Sequence, residues 1–116
     1  MSDQDVQNWI KDQVTGNDVV LFMKGTKDFP QCGFSGRVTQ ILNFIGVKYK
    51  DINVLDDDGV RNGIKVYANW PTIPQLYVKG EFVGGADIVT EMFQSGDLQT
   101  LFNEKGIATH KTSAVA

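Results

Sequence analysis

The segment Trp70-Pro71-Thr72-Ile73-Pro74-Gln75-Leu76-Tyr77-Val78-Lys79-Gly80-Glu81-Phe82-Val83 carries the pattern that decides the fold. Each proline lacks an N–H and biases the residue before it toward extended backbone, so no helix can run through Trp70–Pro74. Beyond that break, Gln75–Val78 and Glu81–Val83 are short apolar-rich runs joined by Lys79-Gly80, a two-residue turn signal in which glycine supplies a permissive φ. The pattern predicts a β-hairpin entered from a proline-interrupted loop.

Working outward, Asp18-Val19-Val20-Leu21-Phe22-Met23-Lys24 is a nearly continuous apolar run and reads as a strand covered on both faces. Gly25–Gln31 is a loop, and after Cys32 the residues Val38, Ile41, Leu42 and Ile45 recur at helical spacing until Gly46 stops them. Val47–Asn53 reads as a second short strand. Asp56-Asp57-Asp58 then precedes a helix carrying Val60, Ile64 and Tyr67, with acidic groups where a helix N-terminus favours them. At the start of the chain, Ser2 is an N-cap candidate for a helix with Val6, Trp9, Ile10 and Val14 on one face and Gly16 as its stop. Past the hairpin, Gly84-Gly85-Ala86-Asp87 leads into a helix with Val89, Met92 and Phe93 inward, closed by Gly96; Asp97 is the expected cap of a last helix with Leu98, Leu101 and Phe102. The order is α-β-α-β-α-β-β-α-α. One βαβ crossover followed by a hairpin gives an α/β domain with a four-stranded mixed sheet and helices on both faces, the plan of a thioredoxin-like fold.

No repeat, low-complexity stretch or linker interrupts residues 1–108, which form one expected folding unit; 109–116 is small, polar and aperiodic, an expected disordered tail in which His110 takes no role. The chain has 116 residues, 41% hydrophobic and 22% charged, proportions of a single compact soluble domain. Lys and Arg number 11 against 14 Asp and Glu, which argues against nucleic acid as a partner. No apolar run approaches the ~18 residues of a membrane span, and Met1–Asp5 has neither a basic nor an apolar leader region. No membrane association is expected, and the expected location is cytoplasmic, with a mature organellar matrix as the alternative. Cys32 is the one cysteine. It cannot close an internal disulfide, build a zinc cage or run a two-cysteine redox cycle within one chain, and it suits a reducing compartment.

Several residues are placed to do chemistry. Cys32 sits at the first turn of the second helix, where free N–H groups and the positive end of the dipole favour a thiolate. A lone cysteine is usually buried and inert, but Gly33, Ser35 and Gly36 leave this sulfur uncovered. Lys24 ends the first strand beside the Cys32 loop, so its ammonium can serve the thiolate or an acidic ligand, or simply be a solvated strand end. Thr72-Ile73-Pro74 opens the third strand; a cis Pro74 would free the Ile73 backbone to pair with an extended peptide, although cis X–Pro bonds are only ~5–6% of the total and the residues alone favour trans. Gly84-Gly85-Ala86-Asp87 is a strand-to-helix junction whose N–H groups can hold a carboxylate, or no more than a sharp turn. Asp87 is either an N-cap or an acceptor for a ligand's ammonium. Arg61 and Lys65, one turn apart, present two cations on one side of a helix or form an ordinary solvated face.

Taken together, Lys24-Gly25-Thr26, Pro30-Gln31-Cys32-Gly33-Phe34-Ser35, Trp70 through Leu76 and Gly80 through Ile88 closely resemble the monothiol glutaredoxins of the Cys-Gly-Phe-Ser class, in their short single-domain form. The resemblance spans nearly the whole folded chain, with its motifs in order and spacing. It implies a thioredoxin fold, a cis Pro74 and a glutathione site. In that site Lys24 and Arg61 would pair with the glycine-end carboxylate and the Ile73 backbone with the cysteinyl unit. Ala86 N–H and Asp87 would hold the γ-glutamyl end, and Phe34, Thr72 and Gly85 would line the ligand. The family usually carries cysteine or serine where Ala86 stands, so any side-chain role there is absent. The family's main role, binding and transferring a [2Fe-2S] cluster, requires four ligands. One Cys32 and one glutathione thiolate from each of two subunits supply them, which implies a homodimer. The partners implied are an iron–sulfur scaffold, apo-protein acceptors and a BolA-family protein. The competing expectation is a glutathione-dependent oxidoreductase in which Cys32 attacks a mixed disulfide. Ser35 stands where dithiol relatives carry a resolving cysteine.

Overall fold

The structure is a computed structural model that describes residues 1–109; the expected tail, His110 included, lies outside the described residues except for Thr109. The elements follow the order α1 (Asp3–Gly16), β1 (Val19–Met23), α2 (Gly33–Ile45), β2 (Lys50–Asn53), a 3-10 turn (Val54–Asp56), α3 (Asp58–Ala68), β3 (Gln75–Val78), β4 (Glu81–Gly84), α4 (Ala86–Ser95) and α5 (Asp97–Glu104). The four strands form one mixed sheet in the order β2-β1-β3-β4. β1 pairs in parallel with β2 and antiparallel with β3, and β3 pairs antiparallel with β4.

The side-chain alternation of β1 explains why its run is apolar throughout. Val19, Leu21 and Met23 enter a core shared with residues of α2, α4 and α5, whereas Val20 and Phe22 enter a second core with residues of α1 and α3. A central strand with a helical layer on each face has no side free for polar residues. The hairpin turn carries positive φ at both Lys79 (51°) and Gly80 (83°), the geometry that matches the right-handed twist of the flanking strands. Ser2 caps α1 in a full capping box with Asp5.

Four local expectations are corrected. β2 begins at Lys50, not Val47, because its ladder with β1 starts at Val20↔Lys50; Val47 and Tyr49 are buried from the preceding coil instead. α5 is capped by Gly96 and not by Asp97, since Gly96 at φ 88° is both the left-handed C-cap of α4 and the residue that starts α5. Asp87 lies in the first turn of α4, whose N-cap is Gly85. Gly16 is the last residue of α1, and the chain leaves through Asn17 in extended conformation.

Between α3 and β3 the chain is held by a buried polar relay. Gln75 is fully buried; its Nε2 donates to the carbonyls of Trp70 and Thr72 (both 3.2 Å), and its Oε1 accepts from the Tyr77 hydroxyl at 2.9 Å. Tyr77 in turn packs its ring against Phe22, Tyr67 and Phe82. Burial pushes the Tyr77 hydroxyl's pKa up, with the nearby Tyr67 hydroxyl a lesser cause, which keeps it a donor. Gln75→Leu strips the partner from the buried Tyr77 hydroxyl and from two part-buried carbonyls and should cost ~2–4 kcal/mol in urea unfolding, with Tyr77→Phe costing ~1–2 kcal/mol because only one bond is lost. Values within about 0.5 kcal/mol of wild type, the range of neutral surface changes, would show that the relay contributes nothing.

Candidate functional site

The strand pairings bring the chemistry to one end of the sheet. Phe22 pairs with Gln75 and Leu76 with Gly84. Lys24 at the exit of β1, Pro74 at the entry of β3 and Gly85 after β4 therefore lie at the same edge, as does the start of α2. A cleft of about 460 Å³ opens there, and its walls include Lys24, Cys32, Phe34, Thr72, Ile73, Gly85, Ala86 and Asp87. The volume is in the range of small-molecule sites.

Cys32 is the N-cap of α2 and partly exposed. Its sulfur closes no cap hydrogen bond to the helix. The thiol's pKa is nevertheless lowered, chiefly by the main-chain N–H of Ser35 and then by that of Phe34, the Lys24 ammonium and the Ser35 hydroxyl, against an opposing contribution from desolvation. This is the behaviour of a thiolate at a helix N-terminus, where the first N–H groups have no intrahelical acceptor. Ser35 itself is fully buried and its hydroxyl accepts the Lys24 N–H at 3.1 Å. It ties the end of β1 to the start of α2.

The peptide bond between Ile73 and Pro74 is cis. The residues alone favoured trans; the family resemblance implied the isomer observed. Ile73 lines the cleft together with Trp70, Pro71, Thr72 and Pro74. On the neighbouring wall α4 begins at Ala86 without any side-chain cap, leaving the N–H groups of its first turn unclaimed by the helix. A side chain at Gly85 would crowd that wall: a Cβ there would stand 3.3 Å from the Pro74 carbonyl and 3.4 Å from the Trp70 indole nitrogen, so these neighbours would have to give by a few tenths of an ångström.

The two cations of α3 divide. Lys65 lines the cleft, whereas Arg61 is not among its lining residues. The cause is the way α3 ends: the Lys65 carbonyl accepts both Asn69 N–H and Trp70 N–H, so the last turn, not the first, runs directly into the Trp70–Pro74 wall. Trp70, Pro71 and Ile88 also line the cleft without having been singled out as site residues, whereas Lys65 was visible only as half of a cation pair and Pro74 only through its effect on the Ile73 backbone. Among the described residues, no group of three or more His, Cys, Asp or Glu side chains is arranged to hold a metal ion. No described helix is long and apolar enough to cross a membrane. The arrangement offers a partly exposed thiol with a lowered pKa, two ammonium groups, an uncapped helix start and one carboxylate around a single cleft. It suits a zwitterionic, thiol-bearing ligand.

The glutaredoxin family profile matches residues 19–83, more than half of the chain. A Synechocystis protein described as an uncharacterized monothiol glutaredoxin ycf64-like is 59% identical over 88 residues, covering 76% of this chain and 82% of that protein. The solution structure of reduced poplar apo GrxS14 is 46% identical and superposes with a TM-score of 0.79, covering 90% of this chain and 97% of the other. A buckwheat glutaredoxin–glutathione complex, 23% identical, shares the fold at a TM-score of 0.79, with 90% of this chain and 93% of the other covered. The thioredoxin-like architecture, the single cysteine at the start of α2 and these similarities lead to one assignment: the chain belongs to the glutaredoxin family, among its monothiol members.

Proposed function

We propose that the protein binds glutathione in the cleft beside Cys32 and, as a homodimer, carries a [2Fe-2S] cluster that it accepts from an assembly scaffold and passes to apo-proteins, with a BolA-family protein as a heteromeric partner. The observation that carries this reading is the placement of a lone, partly exposed cysteine with a lowered thiol pKa at the rim of a cleft whose charges complement glutathione. Glutathione has two carboxylates, one ammonium and one thiol. Lys24 and Lys65 suit the glycine-end carboxylate, the first-turn N–H groups of α4 suit the γ-glutamyl carboxylate, and Asp87 suits the ammonium. The Ile73 main chain, freed at the cleft wall, suits the cysteinyl unit. In this assignment Lys65 takes the place given to Arg61 by family resemblance, since Lys65 is the α3 cation that faces the cleft.

The sulfur count links the ligand to the cargo. A [2Fe-2S] cluster takes four ligands, and one chain offers one cysteine. Two Cys32 thiolates and two glutathione thiolates complete the set without any further residue. Half of such a ligand set is exchangeable, which suits delivery more than storage.

A second reading is favoured by the lowered Cys32 pKa. In it the Cys32 thiolate attacks the glutathionyl sulfur of a protein mixed disulfide, forming a Cys32–glutathione disulfide and releasing the protein thiolate. A second glutathione thiolate then attacks the bound glutathionyl sulfur, freeing Cys32 and giving oxidised glutathione. Ser35, buried and engaged with Lys24 N–H, supplies no resolving thiol.

Anaerobic reconstitution with iron, sulfide and glutathione separates the two readings. The carrier reading expects visible charge-transfer absorbance and a shift from monomer to dimer, both absent in Cys32→Ser and both absent without glutathione; a colourless monomer in every condition sinks it. For the ligand itself, calorimetric titration of the apo-protein should find glutathione binding weakened by ~1.5–3 kcal/mol in Lys24→Ala and in Lys65→Ala, the scale of one charge-assisted hydrogen bond. Arg61→Ala should bind within a factor of about three. The reverse ranking of Lys65 and Arg61 would refute the assignment of the carboxylate site.

A further inference from the structure

The loop between β1 and α2, Gly25–Gln31, joins Lys24 to Cys32 and is closed on itself. Gln31 N–H donates to the Lys24 carbonyl at 2.9 Å, Gly25 and Pro30 form an antiparallel bridge, and Thr26 and Phe29 exchange main-chain hydrogen bonds at 3.2 and 3.1 Å. Such a loop moves as a unit, so what fixes it to the sheet fixes both ends. The attachments come from β2. The Gly25 N–H donates to Asn53 Oδ1 at 2.9 Å, and the Lys27 N–H donates to Asp51 Oδ2 at 2.8 Å. Lys27 also donates from Nζ to the Tyr49 carbonyl at 3.2 Å while lying 5.0 Å from the centre of that tyrosine's ring.

Four features make this attachment specific. β2 pairs only with β1 and is an edge strand. Ile52 enters the core beneath α1 and α3, so Asp51 and Asn53, one on either side of it, project to the opposite face. Gly25 is buried at φ 89°, where a Cβ would come within 2.6 Å of Gln31 N, so the loop approaches too closely for any other residue and its N–H has been taken from water. The acceptor is held in orientation, because Asn53 Oδ1 also accepts Leu55 N–H at 3.0 Å while its Nδ2 faces Asp56 Oδ1 at 3.4 Å.

We infer that Asn53 and Asp51 are positioning residues that latch the Gly25–Gln31 loop to β2 and thereby fix the placement of Lys24 relative to Cys32 at the cleft. Neither touches the cleft; they act through the loop. The effect expected on ligand affinity rests on the glutathione reading above, whereas the latch itself does not.

Amide hydrogen exchange of the apo-protein and glutathione titration, measured on the same samples, test this. In Asn53→Ala the Gly25 amide should exchange at least about tenfold faster, the factor for loss of a buried hydrogen bond, while core amides of β1 slow or hasten only with global stability. Glutathione should bind about three- to tenfold more weakly at a temperature where the variant is fully folded, and Asn53→Asp combined with Asp56→Asn, which keeps an acceptor at 53 and a donor facing it, should retain Gly25 protection. Asp51→Ala should release the Lys27 amide in the same way, and it decides the matter if Asn53→Ala does not fold. Unchanged exchange at Gly25 and Lys27 in folded variants overturns the latch; faster exchange with unchanged affinity overturns its role in positioning. If wild-type protein does not bind glutathione, the functional reading fails alone and the exchange rates still judge the latch.

Discussion

The first turn of α2 has main-chain N–H groups that no carbonyl within the helix can satisfy, and the residue set before them is Cys32. That constraint orders much of what surrounds it. A thiol at this position is drawn toward its thiolate mainly by the Ser35 N–H, with the Phe34 N–H, Lys24 and the Ser35 hydroxyl adding to it. Because the leading cause is backbone, it depends on where α2 starts more than on any one side chain. The start of α2 is in turn fixed by Ser35, which buries its hydroxyl against the Lys24 N–H, and by the closed loop that carries the chain from Lys24 to Cys32.

The sheet register supplies the other walls. β1 runs toward the cleft, β3 away from it and β4 back, so the exit of one strand, the proline-marked entry of the next and the glycine pair after the last converge without any long excursion of the chain. Two polar side chains that read as ordinary strand residues hold the irregular segments: Gln75 grips the carbonyls of Trp70 and Thr72, and Asn53 grips the N–H of Gly25. Irregular backbone near a binding site must find its hydrogen-bond partners somewhere, and here they are side chains of the neighbouring strands. The cleft is thus bordered by backbone held from behind, while the charged groups Lys24, Lys65 and Asp87 line the cleft itself.

Much of this was legible in the sequence because the signals were local. The buried run of β1, the helical spacing from Val38 to Ile45 and the Lys79-Gly80 turn each state their structure within a few residues, and the order of elements then leaves few topologies. The residues about Cys32, Thr72–Pro74 and Gly85–Asp87 announced a site through their chemistry, and family resemblance supplied the expectation of a cis Pro74 that composition alone could not. What was not legible depended on distant contacts. Where β2 begins is decided by its pairing with β1, which starts at Val20↔Lys50, and whether Arg61 or Lys65 meets the cleft is decided by the way α3 ends at Trp70. Gly96 caps α5 because the same left-handed residue closes α4, a joint that Asp97 as a candidate cap concealed. The grip of Asn53 on Gly25 spans 28 residues of sequence and leaves no periodic trace.

The central claim is that the fold lowers the pKa of Cys32 at the cleft and so favours its thiolate, and the pH dependence of its alkylation tests that claim most directly. Only the thiolate reacts, so the rate rises with pH through the thiol's pKa; a lowered pKa moves that rise to lower pH. By linkage, the folded state's preference for the thiolate stabilises the fold above the ordinary thiol pKa, and that contribution is lost as pH falls through the lowered value. With iodoacetamide, the half-maximal rate of the wild-type protein should lie below the pH of about 8.5 typical of a free cysteine. Lys24→Gln should raise it without reaching that value, because the main-chain N–H groups remain. A wild-type midpoint at or above the free-cysteine value would contradict the account.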